Sequence, residues 1–367
     1  MIIRSIDLQN FRNYKFLHMD FDEKTNILYG DNAQGKTNIL ESIYLSVTTK
    51  SHRGSRDSEM ISFGEEEAHI KTIVTKKNID YRIDMHLKKN KSKGIAINGV
   101  PIKKSIDLYG IINTVLFSPE DLGIIKNGPA GRRRFMDMEL CQLDRIYVNS
   151  LVNYNKAVDQ RNRLLKDAYY DKSLLDTIEI WDLQLVKYGS DVIKIRRKFV
   201  SELNEIIKKI HARLTGNIEN LIVEYEPSVN EDEFLYQLEK SRERDIRMKM
   251  TSYGPHRDDI SFLTDGIDIR KYGSQGQQRT TALSLKLAEI ELVKSVTGDT
   301  PILLLDDVLS ELDSNRQNYL LGSIDKVQTV ITCTGLDEFI NNRFSINRVF
   351  RVSNGKVNEE NESGGIK

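Results

Sequence analysis

Residues 30 to 37 read Gly30-Asp31-Asn32-Ala33-Gln34-Gly35-Lys36-Thr37, a G-x-x-x-x-G-K-[ST] loop, and nothing else in the chain restricts its folding as much. Such a loop works only where a strand delivers the backbone into it and a helix carries the backbone away. Both flanks are present. Ile27, Leu28 and Tyr29 close a β-rich run before it, and Ile39, Leu40, Ile43 and Tyr44 follow it at helical spacing. The residue types dictate the chemistry: glycines let backbone N–H groups turn inward around phosphates, the helix N-terminus favours negative charge, Lys36 can reach β- and γ-phosphates, and the Thr37 hydroxyl can ligate Mg2+. An α/β core around a nucleotide is therefore expected.

Two further elements fit this core. Pro301-Ile302-Leu303-Leu304-Leu305-Asp306-Asp307 is an apolar run ending in two acids, as expected of a buried parallel strand whose carboxyl end opens onto a ligand crevice. Asp306 is placed to hold Mg2+ and Asp307 to orient or deprotonate an attacking water. Ser310-Glu311-Leu312-Asp313 follows closely, and Asp313 equally suits a helix cap. Tyr272-Gly273-Ser274-Gln275-Gly276-Gln277-Gln278 opens a helical run from Ala282 to Val296. Ser, Gly and a helix N-terminus make a second anion-binding face, and a second such face suggests a nucleotide gripped from its far side. A Ser-capped helix is the plain alternative.

Residues 2 to 29 read as three short strands, and residues 68 to 108 as further strands with an Asn98-Gly99 hairpin turn. After Pro129 no proline occurs until Pro227, and apolar residues fall into steps of three and four. Leu143, Tyr147, Leu151, Tyr154, Val158 and Leu165 mark one stripe; a longer one runs from Leu174 through Trp181, Ile195 and Phe199 to Leu214. Two long helices are expected, turned back near Tyr170 to Ser173, with Gly189 a candidate break. Limbs of about 40 residues would span roughly 60 Å. A projecting arm and an ordinary helical subdomain explain the stripes equally well. The polar stretch from Ser353 is expected to fray.

The length, 367 residues, suits two domains or one large domain with an insertion. Lys plus Arg and Asp plus Glu balance at 54 each, which excludes a protein that coats nucleic acid by bulk charge. Charge is uneven, however: residues 71 to 104 hold ten Lys or Arg against two Asp. No apolar run reaches the roughly 18 residues needed to cross a bilayer, and a charged N-terminus argues against a signal peptide, so a cytoplasmic location is expected. Cys141 and Cys333 are too few and too far apart in sequence for a disulfide framework or a CxxC metal site.

The order of the three elements, with the helical segment between the first and second, resembles the ATPase head of the ABC superfamily in its SMC-like branch. More closely, Leu8-Gln9-Asn10-Phe11-Arg12-Asn13-Tyr14, Lys50-Ser51-His52-Arg53, Phe117-Ser118-Pro119-Glu120-Asp121, Gly128-Pro129, Arg132-Arg133-Arg134-Phe135 and Tyr253-Gly254-Pro255-His256-Arg257-Asp258-Asp259 resemble the RecF family of bacterial recombination proteins. The resemblance implies an α/β P-loop ATPase head of ABC/SMC type with a β-rich N-terminal part and an inserted helical arm: head at 1–125 and 250–352, arm at 126–249, flexible tail at 353–367. It implies ATP and Mg2+ as cofactors, with Gly30, Asp31, Asn32, Ala33, Gln34, Gly35, Lys36 and Thr37 binding ATP, Thr37 and Asp306 at the metal, and Asp307 catalytic. Ser274, Gly276 and Gln277 would touch the γ-phosphate of an opposite subunit, beside a D-loop containing Ser310 and Asp313. The implied protein is a weak, DNA-stimulated ATPase that dimerises on ATP, binds DNA at gaps, and acts with RecR and RecO to support RecA loading on single-stranded DNA. Asp307 stands where transporter ATPases usually carry Glu, which implies slow hydrolysis. The usual switch His after the strand 329–331 is missing, and Thr332 or Thr334 is the candidate substitute. With no base-reading motif in the chain, DNA contacts through phosphates are expected, with Lys88, Lys89, Lys91, Lys93, Arg132 and Arg133 as candidates. The competing reading is an ABC-type ATPase of another soluble system, in transport or translation, without DNA binding.

Overall fold

The computed structural model describes residues 1–168, 170–324, 326–336 and 346–360. The chain begins with β1 (Ile2–Phe11), β2 (Tyr14–Asp20), β3 (Thr25–Tyr29), α1 (Lys36–Thr48), β4 (Glu67–Lys76), β5 (Ile79–Lys88), β6 (Gly94–Ile97), β7 (Val100–Pro101) and β8 (Thr114–Phe117). It continues with α2 (Leu122–Lys126), α3 (Pro129–Leu143), α4 (Arg145–Asp167), α5 (Ile178–Leu214), β9 (Leu221–Glu226), α6 (Phe234–Lys240) and α7 (Arg242–Met248). Next come β10 (Asp259–Thr264), β11 (Ile267–Asp268), α8 (Ile269–Tyr272) and α9 (Gln275–Thr297). It closes with β12 (Ile302–Asp306), α10 (Ser314–Ser323), β13 (Thr329–Cys333), β14 (Arg348–Ser353) and β15 (Lys356–Glu360).

Two compact units result, one of Met1–Asp121 with Glu289–Lys367 and one of Leu122–Ala288. The first junction lies close to the one expected from sequence. The second lies well beyond residue 250, because β10 pairs with β9 from Asp259↔Glu226 to Thr264↔Leu221 and so completes the insertion's own sheet.

The first unit contains two six-stranded sheets. One, ordered β2-β1-β4-β5-β6-β7, is antiparallel. Its strands alternate in burial: Ala68, Ile70, Thr72 and Val74 of β4 point inward between half-exposed neighbours, the pattern of a sheet packed on one face. The Asn98-Gly99 turn closes β6 onto β7 with φ of 52° and 80°, the positive values that a two-residue I′ hairpin requires. The other sheet, ordered β15-β14-β3-β13-β12-β8, is parallel except for its edge strand β15. Every residue of β8, β12 and β13 is buried, as expected of strands covered on both faces.

That edge strand corrects the expected fraying at 353. Lys356–Glu360 pairs with β14 through an Asn354-Gly355 turn with φ of 48° and 70°. Its side chains are nearly all exposed, so its polar composition looked like a tail. Residues 361–367 lie outside the described residues.

In the second unit α4 and α5 form the expected hairpin, but its first limb is much shorter than the expected length. Their 23 and 37 residues correspond to about 35 and 55 Å at ~1.5 Å per residue. The helical-subdomain reading fits, because Tyr154, Val158, Leu185 and Ile193 pack in one core with Val229, Phe234 and Leu238. Gly189 does not break α5. A Cβ there would lie 2.5 Å from the Phe234 ring and 2.9 Å from that of Tyr154, so glycine admits both aromatic rings.

Buried charge ties this unit together. Arg161 donates to Asp182 at 2.6 Å and to Asp245 at 2.7 Å, with all three side chains fully buried. Arg196 on α5 donates to Asp258 at 3.0 Å, to the Pro255 carbonyl at 2.7 Å and to Asp137 on α3 at 2.7 Å. Removing one partner of a buried pair strands the other charge and typically costs about 3–5 kcal/mol. Arg196→Met is therefore expected to lower the unfolding free energy by about that much, read by urea titration with fluorescence of the single tryptophan, Trp181 on α5.

Candidate nucleotide site

The parallel register brings the sequence elements together. Asp306 at the end of β12 pairs with Thr332 on β13, and Thr332 pairs with Leu28 on β3. The strand preceding the phosphate loop and the strand ending in the two acids thus flank one intervening strand, with their carboxyl ends level. In open α/β sheets this is where ligands bind.

The loop itself is bent through left-handed backbone, with φ of 148° at Gly30, 62° at Ala33 and 114° at Gly35. A Cβ on Gly30 would lie 2.3 Å from the Val352 carbonyl oxygen, and one on Gly35 2.5 Å from Asn13 Nδ2, so both positions demand glycine on two counts. Lys36 is buried and folds back over the loop, donating to the carbonyls of Gly30 at 2.6 Å and Asp31 at 2.8 Å. Thr37 Oγ1 donates to Asp306 Oδ1 at 2.8 Å.

Two turns prop the loop from outside. Asn13 Nδ2 donates to the Gln34 carbonyl at 3.1 Å, and the Tyr14 hydroxyl donates to the Gly35 carbonyl at 3.1 Å. From the other hairpin, the Asn354 N–H donates to Gln34 Oε1 at 2.6 Å. Sequence reading missed this clamp. Asn13-Tyr14 was visible only as part of a motif, and Asn354 fell in the segment taken for a tail.

Asp307 has the left-handed φ of 54°, a strained value for a side-chain-bearing residue and one that clusters at functional sites. Its N–H donates to Thr332 Oγ1 at 3.0 Å, and Thr332 Oγ1 donates in turn to Asp306 Oδ1 at 2.8 Å. Thr332 Oγ1 thus links the Asp306 carboxylate to the Asp307 backbone. Burial raises the Asp307 carboxyl above its usual range; Lys36 opposes this, and the carboxylates of Asp306 and Glu311 add to it. A carboxylate with raised basicity is suited to accept a proton from water. Ser310 Oγ donates to the Asp307 carbonyl at 2.9 Å, and Asp313 caps α10 by accepting from the Arg316 N–H at 3.0 Å, so the cap reading of Asp313 is realised.

The donor set fits a nucleotide with its metal. The loop can close against Val352 and Asn13 only because Gly30 and Gly35 lack Cβ atoms, Lys36 lies against the loop carbonyls, and Thr37 and Asp306 offer the hydroxyl and carboxylate oxygens that Mg2+ prefers.

Ser274, Gly276 and Gln277 lie in the second unit at the start of α9. Ser274 and Gly276 are exposed and Gln277 half-exposed. The Gln277 N–H donates to Ser274 Oγ at 3.2 Å while the Ser274 N–H donates to Gln277 Oε1 at 2.9 Å, a reciprocal capping box. Gln277 Nε2 also donates to Glu219 at 3.0 Å, Glu219 lies 3.2 Å from His211 Nε2, and His211 Nδ1 lies 2.9 Å from Ser284 Oγ. The turn at Ser274 to Gln277 is thereby joined to the end of α5.

The candidate DNA contacts fare unequally. Arg132 is 2% exposed and binds Asp259 with two nitrogens, at 2.6 and 2.8 Å. It is a structural residue, and its earlier assignment to DNA is corrected. Arg133 is half-buried and donates to the Asp258 carbonyl at 2.7 Å. The arginine motif and the Tyr253–Asp259 motif are thus partners in one joint. Lys93 donates to the Thr49 carbonyl at 2.6 Å and to Asp57 at 2.8 Å, which ties it to the end of α1 and removes it as well. Lys88 pairs with Glu67 at 3.2 Å and Lys89 with Glu66 at 3.1 Å, while Lys91 is exposed. Acids outside the 71–104 segment therefore offset much of its positive excess. Exposed pairs of this kind contribute little to stability, so Lys88 and Lys89 can exchange their partners for phosphate.

A family model described as the RecF/RecN/SMC N terminal domain matches residues 2–358. The DNA replication and repair protein RecF of Lachnospira eligens is 63% identical over 363 residues, covering 98% of this chain and 100% of that protein. The chain belongs to the RecF family. Its relative from Clostridium botulinum, also a DNA replication and repair protein RecF, is 45% identical, covering 97% of this chain and 99% of that one. A solved structure of the recombination mediator protein RecF with ATP in the RecFOR pathway is 36% identical, with a TM-score of 0.92 and coverage of 98% of both chains. An SMC head bound to the C-winged helix domain of ScpA is 16% identical with a TM-score of 0.59 and shares the fold alone, that of an SMC-like ABC ATPase head. Among the described residues, no helix is long and apolar enough to cross a membrane.

In this RecF-family site Thr332 both orients Asp306 and holds the Asp307 backbone. Thr332→Val is expected to lower ATP hydrolysis by about 10–100-fold, the usual cost of losing a group that orients a metal ligand, while nucleotide binding changes little. Single-turnover phosphate release beside a fluorescent-nucleotide titration separates the two, and unaltered hydrolysis would rule the role out.

Proposed function

We propose that this RecF-family chain is a cytoplasmic, ATP-switched DNA-binding ATPase of gap repair and replication restart, acting with RecR and RecO to support RecA loading on single-stranded DNA. The observation that carries this reading is the convergence of Lys36, Thr37, Asp306 and Asp307 through three adjacent parallel strands, in a chain that aligns along nearly its whole length with RecF proteins.

In this scheme Gly30 to Thr37 wrap the phosphates of ATP, and Lys36 exchanges its loop carbonyls for the β- and γ-phosphates. Mg2+, held by Thr37 and Asp306, would neutralise charge that builds on the phosphates. Asp307 orients the attacking water and takes its proton. Because Asp has one methylene less than Glu, its carboxylate reaches less far, consistent with a slow ATPase.

The second half of the site comes from a partner copy. Ser274, Gly276 and Gln277 are accessible, and a γ-phosphate would replace the Ser274–Gln277 capping contacts. ATP then staples two heads together, since a ligand shifts an equilibrium only by its differential affinity for the two states. Ser274→Arg is expected to abolish ATP-dependent dimers in sedimentation velocity while leaving ATP binding by each subunit intact. Dimers as tight as those of the unaltered chain would reject the cross-subunit scheme.

DNA binding is assigned to phosphate contacts by surface lysines, of which half-exposed Lys88 and Lys89 and exposed Lys91 remain candidates. Replacing these three with Ala is expected to reduce the slope of log affinity against log salt by up to about 0.9 per lost contact on duplex DNA. An unchanged slope would remove them from the interface.

A further inference from the structure

On the half-exposed face of the antiparallel sheet, β4 and β5 set His69 directly opposite His86. The two imidazoles stack with ring centroids 4.0 Å apart and planes 24° from parallel. Glu67 precedes His69 by two residues, so the pleat turns its carboxylate to the same face. Its oxygens lie 3.0 Å from His86 Nε2 and 3.7 Å from His69 Nε2, and one ligand atom from each of the three residues lies within 4.8 Å of the others.

We propose that Glu67, His69 and His86 form a binding site for a divalent transition-metal ion, with Zn2+ the best match. Two imidazoles and one carboxylate are the donor set of zinc sites that keep a fourth position open. On bonds of about 2.0–2.2 Å, tetrahedral ligands stand roughly 3.3–3.6 Å apart, and the two carboxylate-to-imidazole gaps bracket that span. The imidazoles select against Mg2+ and Ca2+, which take oxygen ligands, and in favour of Zn2+, Co2+, Ni2+ or Cu2+. Because the residues sit on paired strands, the backbone is already ordered before an ion arrives.

His69 and His86 also line a groove of about 730 Å3 whose walls include His18, Asp7 and Asp84. Water or a carboxylate could complete the shell. The site lies on the antiparallel sheet and uses none of the residues assigned to the nucleotide. Lys88 competes for this site, with its Nζ 3.2 Å from Glu67 Oε2. An ion bound to Glu67 must displace this ammonium, a solvent-exposed contact that contributes little.

The test uses the full chain, stripped with a chelator and free of nucleotide, titrated with Co2+ and read by visible absorption. One saturating equivalent with four-coordinate d–d bands, displaced by Zn2+, is expected. His69→Gln and His86→Gln should each weaken binding by more than about tenfold, Lys88→Met should tighten it, and His18→Gln should leave it unchanged. Circular dichroism checks that each variant is folded, and the gain in Lys88→Met cannot arise from misfolding. Absence of a saturable spectrum, or the same spectrum in the His69→Gln/His86→Gln double variant, would overturn the assignment.

Discussion

Everything at the nucleotide site depends on the pairing of β13 with a parallel neighbour on each side. The strand is buried throughout, and its register decides whether the loop after β3 and the acids after β12 arrive at the same height. A slip of one residue would turn Thr332 to the opposite face of the sheet. It would remove the hydroxyl that joins Asp306 to the Asp307 backbone. The strain in Asp307 is then intelligible: the chain must leave β12 abruptly so that one acid faces Thr37 and the next stands clear of it.

The second unit is held by a different kind of interaction. Its helices bury arginines, and each arginine finds a carboxylate supplied by a segment distant in sequence. Arg132 meets Asp259, Arg161 meets Asp245, and Arg196 meets Asp258. Hydrophobic stripes alone would allow α4 and α5 to slide by a turn, whereas a buried guanidinium aimed at one carboxylate does not tolerate a shifted partner. Specificity of register, more than net stability, is the best-attested use of buried charge. Gly254 belongs to the same joint, with φ of 126° and a Cβ position only 2.2 Å from the Tyr154 hydroxyl.

The loop, the acids and the helical hairpin were legible because each is written in consecutive residues with a local periodicity or a fixed spacing. What escaped was written across the chain. An arginine triplet looks like a phosphate contact until Asp259 is seen opposite Arg132, and sequence spacing carries no sign of that pairing. Lys93 looked exposed in a basic run but is claimed by Asp57. Edge strand β15 was invisible for the opposite reason, since an edge strand with solvated side chains has the composition of a tail. Its Asn354-Gly355 dipeptide was the available signal, because that pair favours a two-residue hairpin wherever a strand precedes it.

The hairpin at Asn354-Gly355 also fixes when the site can exist. The loop near residue 34 leans on residue 354, and β3 has both its partners, β13 and β14, in the last tenth or so of the sequence. With synthesis at about 5–20 residues per second, the phosphate loop emerges roughly 15 to 60 seconds before the strands that hold it. Through that interval β3 is an unpaired apolar strand. The nucleotide pocket is therefore among the last parts of the molecule to form, although its defining sequence is among the first to be made.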